Sequence, residues 1–173
     1  MTLIRRHAAI ALALITICIF ATASFAAQGH VVKVIDGDSL VIKIDGKPVE
    51  CRMIGIDAPE LGQKPWGHRA RNHLIGILQK SAWRVSVETD ADERDRYGRA
   101  LVYLRDKGGS LINLRMAEDG YAVPLSIRPN VAHAPEISAA VDSAKSSGKG
   151  IWTRKFGLRE EPSRYREQHE RRR

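Results

Sequence analysis

The chain has 173 residues, with 28 Lys+Arg against 20 Asp+Glu and a formal net charge of +8. That length is a prior for one folded domain, and 43 % hydrophobic with 28 % charged residues excludes an intrinsically disordered chain. Fourteen glycines without a period and only two cysteines exclude collagen-like and disulfide-dense classes.

Residues 1–26 read as a secretory leader rather than as part of the fold. Arg5 and Arg6 make a charged start, Ala8 to Phe20 is an apolar run, and Ser24 and Ala26 supply the small residues before a cleavage point. The competing reading is an uncleaved anchor, because the apolar stretch from Ala8 to Ala27 just suffices to span a bilayer. Ile17, bulky before Cys18, argues against lipid modification of that cysteine. Cleavage after Ala26 predicts an exported protein, periplasmic or extracellular, with Cys51 as its one cysteine. In an apolar strand Cys51 reads as a small buried hydrophobe rather than a nucleophile.

From there the elements follow in order. Val31–Ile35 and Ser39–Ile44 are β-branched runs around Asp36-Gly37-Asp38, which predicts a hairpin. Asp45-Gly46 is a second turn, and Val49–Ile56 a third strand that Asp57-Ala58-Pro59 stops. Gly67–Gln79 predicts a helix with Ala70, Leu74, Ile77 and Leu78 on one stripe. Trp83–Val87 and Ala100–Leu104 are two more strands, separated by a highly charged loop from Asp90 to Gly98. Ser110 is expected to cap a second helix, Pro124–Pro135 to be a loop, and Glu136–Ser147 a third helix.

Three strands, a helix, two strands and then helices do not alternate as a doubly wound sheet would. The order predicts a mainly β, α+β fold: a five-stranded Greek-key barrel of the OB type with about three helices. The domain is expected over residues 27–153. Residues 154–173, with eight Arg/Lys against four Glu, predict a basic, flexible tail or frayed helix that attracts polyanions without sequence preference.

Three clusters carry the candidate chemistry. Asp36-Gly37-Asp38 places two carboxylates that could share a hard cation, although alone it reads first as an Asp-Gly turn. Arg52, Asp57 and Glu60 lie in and just after a strand end, where they could hold a metal and an oxyanion or simply form an ion pair beside a loop Glu. Asp95-Arg96-Tyr97-Gly98-Arg99 could gather two guanidiniums and a phenol around a phosphate, or be a solvated loop. His68 and His73 do not share a helix face, and no zinc-protease, serine-hydrolase or P-loop pattern is present.

Together, Val34-Ile-Asp-Gly-Asp-Ser39, Arg52-Met-Ile-Gly-Ile-Asp-Ala-Pro-Glu60 and Asp95-Arg-Tyr-Gly-Arg99 resemble the signature segments of the thermonuclease (staphylococcal nuclease-like) family. The resemblance runs from about His30 to Trp152. It implies an OB-fold endonuclease that cuts DNA and RNA with Ca2+, and a monomer needing no protein partner. By that resemblance Asp38, Asp57 and the Ala58 carbonyl would be metal ligands, with Asp36 beside the metal. Glu60 would be the general base, Arg52 and Arg99 would bind the reacting phosphate, and Arg96 and Tyr97 the neighbouring one. The chain departs from the family in a short segment between Glu60 and Gly67, and in Leu125 and Ile127 where tyrosines are usual. The alternative is a catalytically inactive nucleic-acid-binding or cell-envelope module. An inactive copy would be expected to lack Arg52, Glu60 or Arg99, and all three are present.

Overall fold

A computed structural model describes residues 27–170; the leader and anchor readings fall on residues 1–26, outside the described residues. Strands β1 (Ala27–Val34), β2 (Ser39–Ile44) and β3 (Lys47–Met53) form an antiparallel meander. Helix α1 (Trp66–Lys80) then leads to β5 (Arg84–Glu88) and β6 (Ala100–Arg105). The barrel closes in the order β1-β2-β3-β6-β5, with β3 and β6 parallel and the other neighbours antiparallel. This is the OB-type barrel that the strand order predicts.

Alternation builds the core. Leu40 and Ile42 of β2, Cys51 and Met53 of β3, and Val85 and Val87 of β5 all point inward and are buried. In β1 the register shifts between Val31 and Lys33, so Val31 and Val34 both face the core although they are three residues apart. Helix α1 packs on the core with Ala70, Leu74 and Leu78 of the expected stripe buried, and Ile77, its fourth member, only partly buried against them. Cys51 is free and fully buried, and burial pushes its thiol up to about 11, in keeping with a structural role.

Several local expectations are corrected. The third strand is two: after β3 the chain breaks at Ile54, and β4 (Gly55–Asp57) leaves the barrel to pair with β7 (Val123–Leu125). Gly55 has φ +84, a conformation glycine adopts freely, and a Cβ there would meet Ile137 Cδ1 at 2.5 Å. The segment from Pro124 is therefore partly strand; a three-residue strand lacks the length that makes alternation readable. Ser110 does not cap α2 (Ile112–Glu118); Leu111 holds that position without a side-chain bond, while the Asp106 carboxylate accepts the Ser110 N–H. Helix α3 (Ala134–Ser146) begins earlier than expected, with Pro135 in its first turn, where a missing N–H costs nothing.

Asn113 of α2 ties the strand break to the barrel. Its amide donates to Ile54 O at 2.8 Å and Val102 O at 3.2 Å, and its oxygen accepts from Leu104 N at 2.9 Å. After a single 3-10 turn at Gly150–Trp152 the chain does not leave the domain. It returns and forms a fourth helix, α4 (Pro162–Glu170), within the stretch expected to be a flexible tail or frayed helix. The helix forms because Pro162 suits a first helical turn and the residues after it carry neither Gly nor Pro.

Candidate active site

The site lies where the β1–β2 turn, the end of β4 and the segment after it converge. In the turn, Asp36 Oδ1 accepts from Asp38 N at 2.9 Å and Ser39 N at 2.7 Å, an Asx turn that fixes the backbone of Asp38. Gly37 lets this turn lie against the neighbouring elements, since a Cβ there would meet Ala58 Cβ at 2.6 Å and Ala70 Cβ at 2.9 Å. Asp38 is consequently buried. Its Oδ2 accepts from Ala58 N at 2.6 Å, and its Oδ1 from the Ser39 hydroxyl at 3.0 Å.

Arg52, near the end of β3, bridges the two strand ends. Its Nη1 lies 2.9 Å from Asp38 Oδ1 and 3.0 Å from Met53 O, and its Nη2 3.0 Å from Asp57 Oδ1. The Arg52 side chain is 12 % exposed, Asp38 7 % and Asp57 1 %. Burial pushes the Asp38 carboxyl up to about 7, against the opposing pull of Arg52.

Glu60 sits at the rim, its side chain 31 % exposed. Its backbone N–H donates to Gln63 Oε1 at 2.9 Å, which holds the short segment before α1. A residue the sequence reading did not single out then completes the cluster. Arg166 of α4 places Nη1 2.9 Å from Asp57 Oδ1 and 2.7 Å from Glu60 Oε1, and Nη2 2.9 Å from Asp57 Oδ2. In a tail with eight Arg/Lys nothing local marks this arginine; the available signal is Pro162 opening a stretch able to be helical.

The third cluster stands apart. Asp95 accepts backbone N–H groups from Tyr97 and Arg99, and its Oδ2 lies 2.7 Å from Arg99 Nε. Burial would raise the Asp95 carboxyl, but these bonds together hold it below the usual carboxylate value. Arg96 and Arg99 flank the Tyr97 ring at 4.8 and 5.6 Å, and Tyr97 is 65 % exposed. The loop enters β6, whose Leu101 is the register partner of Arg52. Thus Asp38, Arg52, Asp57 and Glu60 share one linked cluster, Asp36 shapes its turn, and Arg96, Tyr97 and Arg99 present a separate cationic, aromatic loop.

The charge arithmetic of the cluster bears on a cation. With all three ionised, Asp38, Asp57 and Glu60 face Arg52 and Arg166, leaving one carboxylate in excess; without Arg166 the excess is two, which a divalent ion matches and would itself help to keep Asp38 ionised. Every side-chain acceptor is a carboxylate oxygen, the donor chemistry of hard cations. Among the described residues no three His, Cys, Asp or Glu side chains already converge as a cage; the oxygens that fit a cation are those of the buried pair Asp38 and Asp57.

Residues 50–154 match the family model described as staphylococcal nuclease homologue. The chain is 35 % identical over 128 residues to a thermonuclease of Staphylococcus hyicus, covering 71 % of this chain and 74 % of that one. It is 32 % identical over 175 residues to Protein ParB of Escherichia coli, covering 96 % and 93 %. It is 31 % identical over 155 residues to Endonuclease YhcR of Bacillus subtilis, covering 80 % of this chain but 12 % of that much larger protein. With the barrel, the Asp38–Arg52–Asp57 cluster and these matches in agreement, the chain belongs to the staphylococcal nuclease homologue family.

Proposed function

We propose that the protein is an exported, Ca2+-dependent endonuclease that hydrolyses phosphodiester bonds of DNA and RNA without sequence preference, acting as a monomer. The observation that carries this is the buried Asp38–Arg52–Asp57 arrangement with Glu60 at its rim. Thermonucleases and an endonuclease among its relatives support the same reading. The leader-like pattern of residues 1–26, a charged start, an apolar run and small residues, supports export.

Asp38 and Asp57 would hold the cation, with the Ala58 carbonyl as a further oxygen and Asp36 behind Asp38. The cation would supply charge neutralisation for a phosphate that resists attack because it is anionic. Arg52, fixed between two carboxylates, offers a fork of donors to the phosphate oxygens as charge grows on them. Arg99 adds a second guanidinium once it exchanges Asp95 for phosphate, and Arg96 and Tyr97 take the next phosphate along the strand. Glu60, at the rim and within reach of solvent, accepts the proton of the attacking water. Leu125 and Ile127, one in β7 and one exposed beyond it, offer no phenol to a base, which agrees with a weak sequence preference.

The test is cleavage of single-stranded DNA with Ca2+ and with excess chelator, by the protein and by Glu60→Gln. Ca2+-dependent cleavage by the protein is expected, with turnover by Glu60→Gln reduced about 10²–10⁴-fold and substrate affinity little changed. Full activity in chelator would remove the metal, and near-normal turnover by Glu60→Gln would remove the assigned base.

A further inference from the structure

We propose that helix α4 is an intramolecular gate on this site, and that its Arg166 guanidinium occupies the place of the divalent cation until cation and nucleic acid displace it. This rests on the nuclease reading and adds a regulatory element to it. The guanidinium engages both Asp57 oxygens at 2.9 Å and Glu60 Oε1 at 2.7 Å. These are the oxygens that the reaction needs free: two on a metal carboxylate, one on the base. With Arg52 also on Asp57 Oδ1, that carboxylate is fully committed. Arg166 thus takes up oxygens of Asp57 and Glu60 while its own side chain stays 35 % exposed and that of Glu60 31 %.

The attachment is built to release the helix while keeping it close. The stem is firmly held: the Trp66 indole N–H donates to Phe156 O at 2.8 Å, Leu158 N to Ile151 O at 2.7 Å, and Gln63 Nε2 to Glu160 O at 2.8 Å. The helix is not. Pro162 is its one buried residue whose side chain is described, and Tyr165 rests on the open backbone of Gly62. Little apolar area therefore opposes its departure, and the Arg166 contact is its main tie to the barrel. A tethered helix stays at high effective concentration and re-docks when the competitor leaves. A polyanion favours the open state because Arg166, released from Asp57 and Glu60, then becomes a phosphate ligand. Since Arg166 and the cation claim the same oxygens, each weakens the other, and a coupling of this kind is commonly worth about 5–150-fold in affinity.

The test needs no substrate. Ca2+ affinity is measured by titration calorimetry on the protein and on Arg166→Gln and Tyr165→Ala. Hydrogen exchange of residues 162–170 is followed with and without Ca2+. Both variants should bind Ca2+ about 5–150-fold more tightly, and Ca2+ should strip exchange protection from α4 in the unaltered protein. Equal affinities, with protection of α4 unchanged or increased by Ca2+, would overturn the gate and leave the metal-dependent nuclease standing. Absence of Ca2+ binding in all three proteins would overturn both.

Discussion

Arg52 neutralises two carboxylates that burial has taken out of water, so its removal is a quantitative probe of the site. In Arg52→Met the stem is retained and the charge is lost. Asp57 keeps Arg166 on both oxygens, whereas Asp38 loses its one guanidinium partner among the described residues and Met53 O loses a donor. Removing one partner of a buried pair costs about 3–5 kcal/mol. Because Asp57 remains paired, the lower end applies, about 3 kcal/mol at pH 8. For a domain of this size that corresponds to about 6–12 °C in Tm.

The pH dependence fixes the cause. In chelator, burial already raises Asp38 to about 7 with Arg52 present, and the variant raises it further. Between those two values the folded variant binds a proton that the folded parent does not. The stability deficit therefore grows as pH rises above about 7, by up to about 1.4 kcal/mol per unit, and flattens below it. Thermal or urea unfolding from pH 6 to 9 in chelator measures this. A deficit under about 1 kcal/mol at pH 8, or one independent of pH, would refute the view that Arg52 offsets a buried Asp38 charge.

Arg99→Ala should lower cleavage by about 10²–10³ while leaving the unfolding midpoint nearly unchanged, because its partner Asp95 lies in a partly exposed loop; cleavage within threefold of the parent would make Arg99 an ion-pair residue only. The Asp95 carboxyl is held below its ordinary value by Arg99 and by backbone N–H groups, so its small stabilisation is present above about pH 4 and lost as pH falls through its lowered value. Asp95→Asn should therefore narrow its stability gap to the parent under acid, as urea unfolding at pH 3 and pH 6 would show. Asn113→Ala leaves Ile54 O and Leu104 N without their side-chain partner, while Val102 O keeps the Ile54 N–H, and at about 1–3 kcal/mol per unsatisfied buried group it should be more destabilising than any surface change; a loss below 1 kcal/mol would mean that water replaces the amide.

The sequence by itself determined the barrel and the first half of the site. β-branched alternation in Ser39–Ile44, the Asp-Gly turns and the stripe Ala70, Leu74, Leu78 are local signals. The tertiary structure preserves them because burying those faces is what folds the domain. The motifs at Asp36–Ser39, Arg52–Glu60 and Asp95–Arg99 were equally legible, since each lies within one short segment. What tertiary structure alone decided depends on partners distant in sequence. The break at Ile54 and the turn of β4 onto β7 need Asn113, 59 residues away, and a strand too short to show a period. The commitment of Asp57 and Glu60 to Arg166 spans 109 and 106 residues and ends on one arginine in an arginine-rich stretch. Composition identifies that stretch as basic and solvated. It cannot say which guanidinium returns to the site, because that choice is made by where the barrel holds the stem at Trp66 and Gln63.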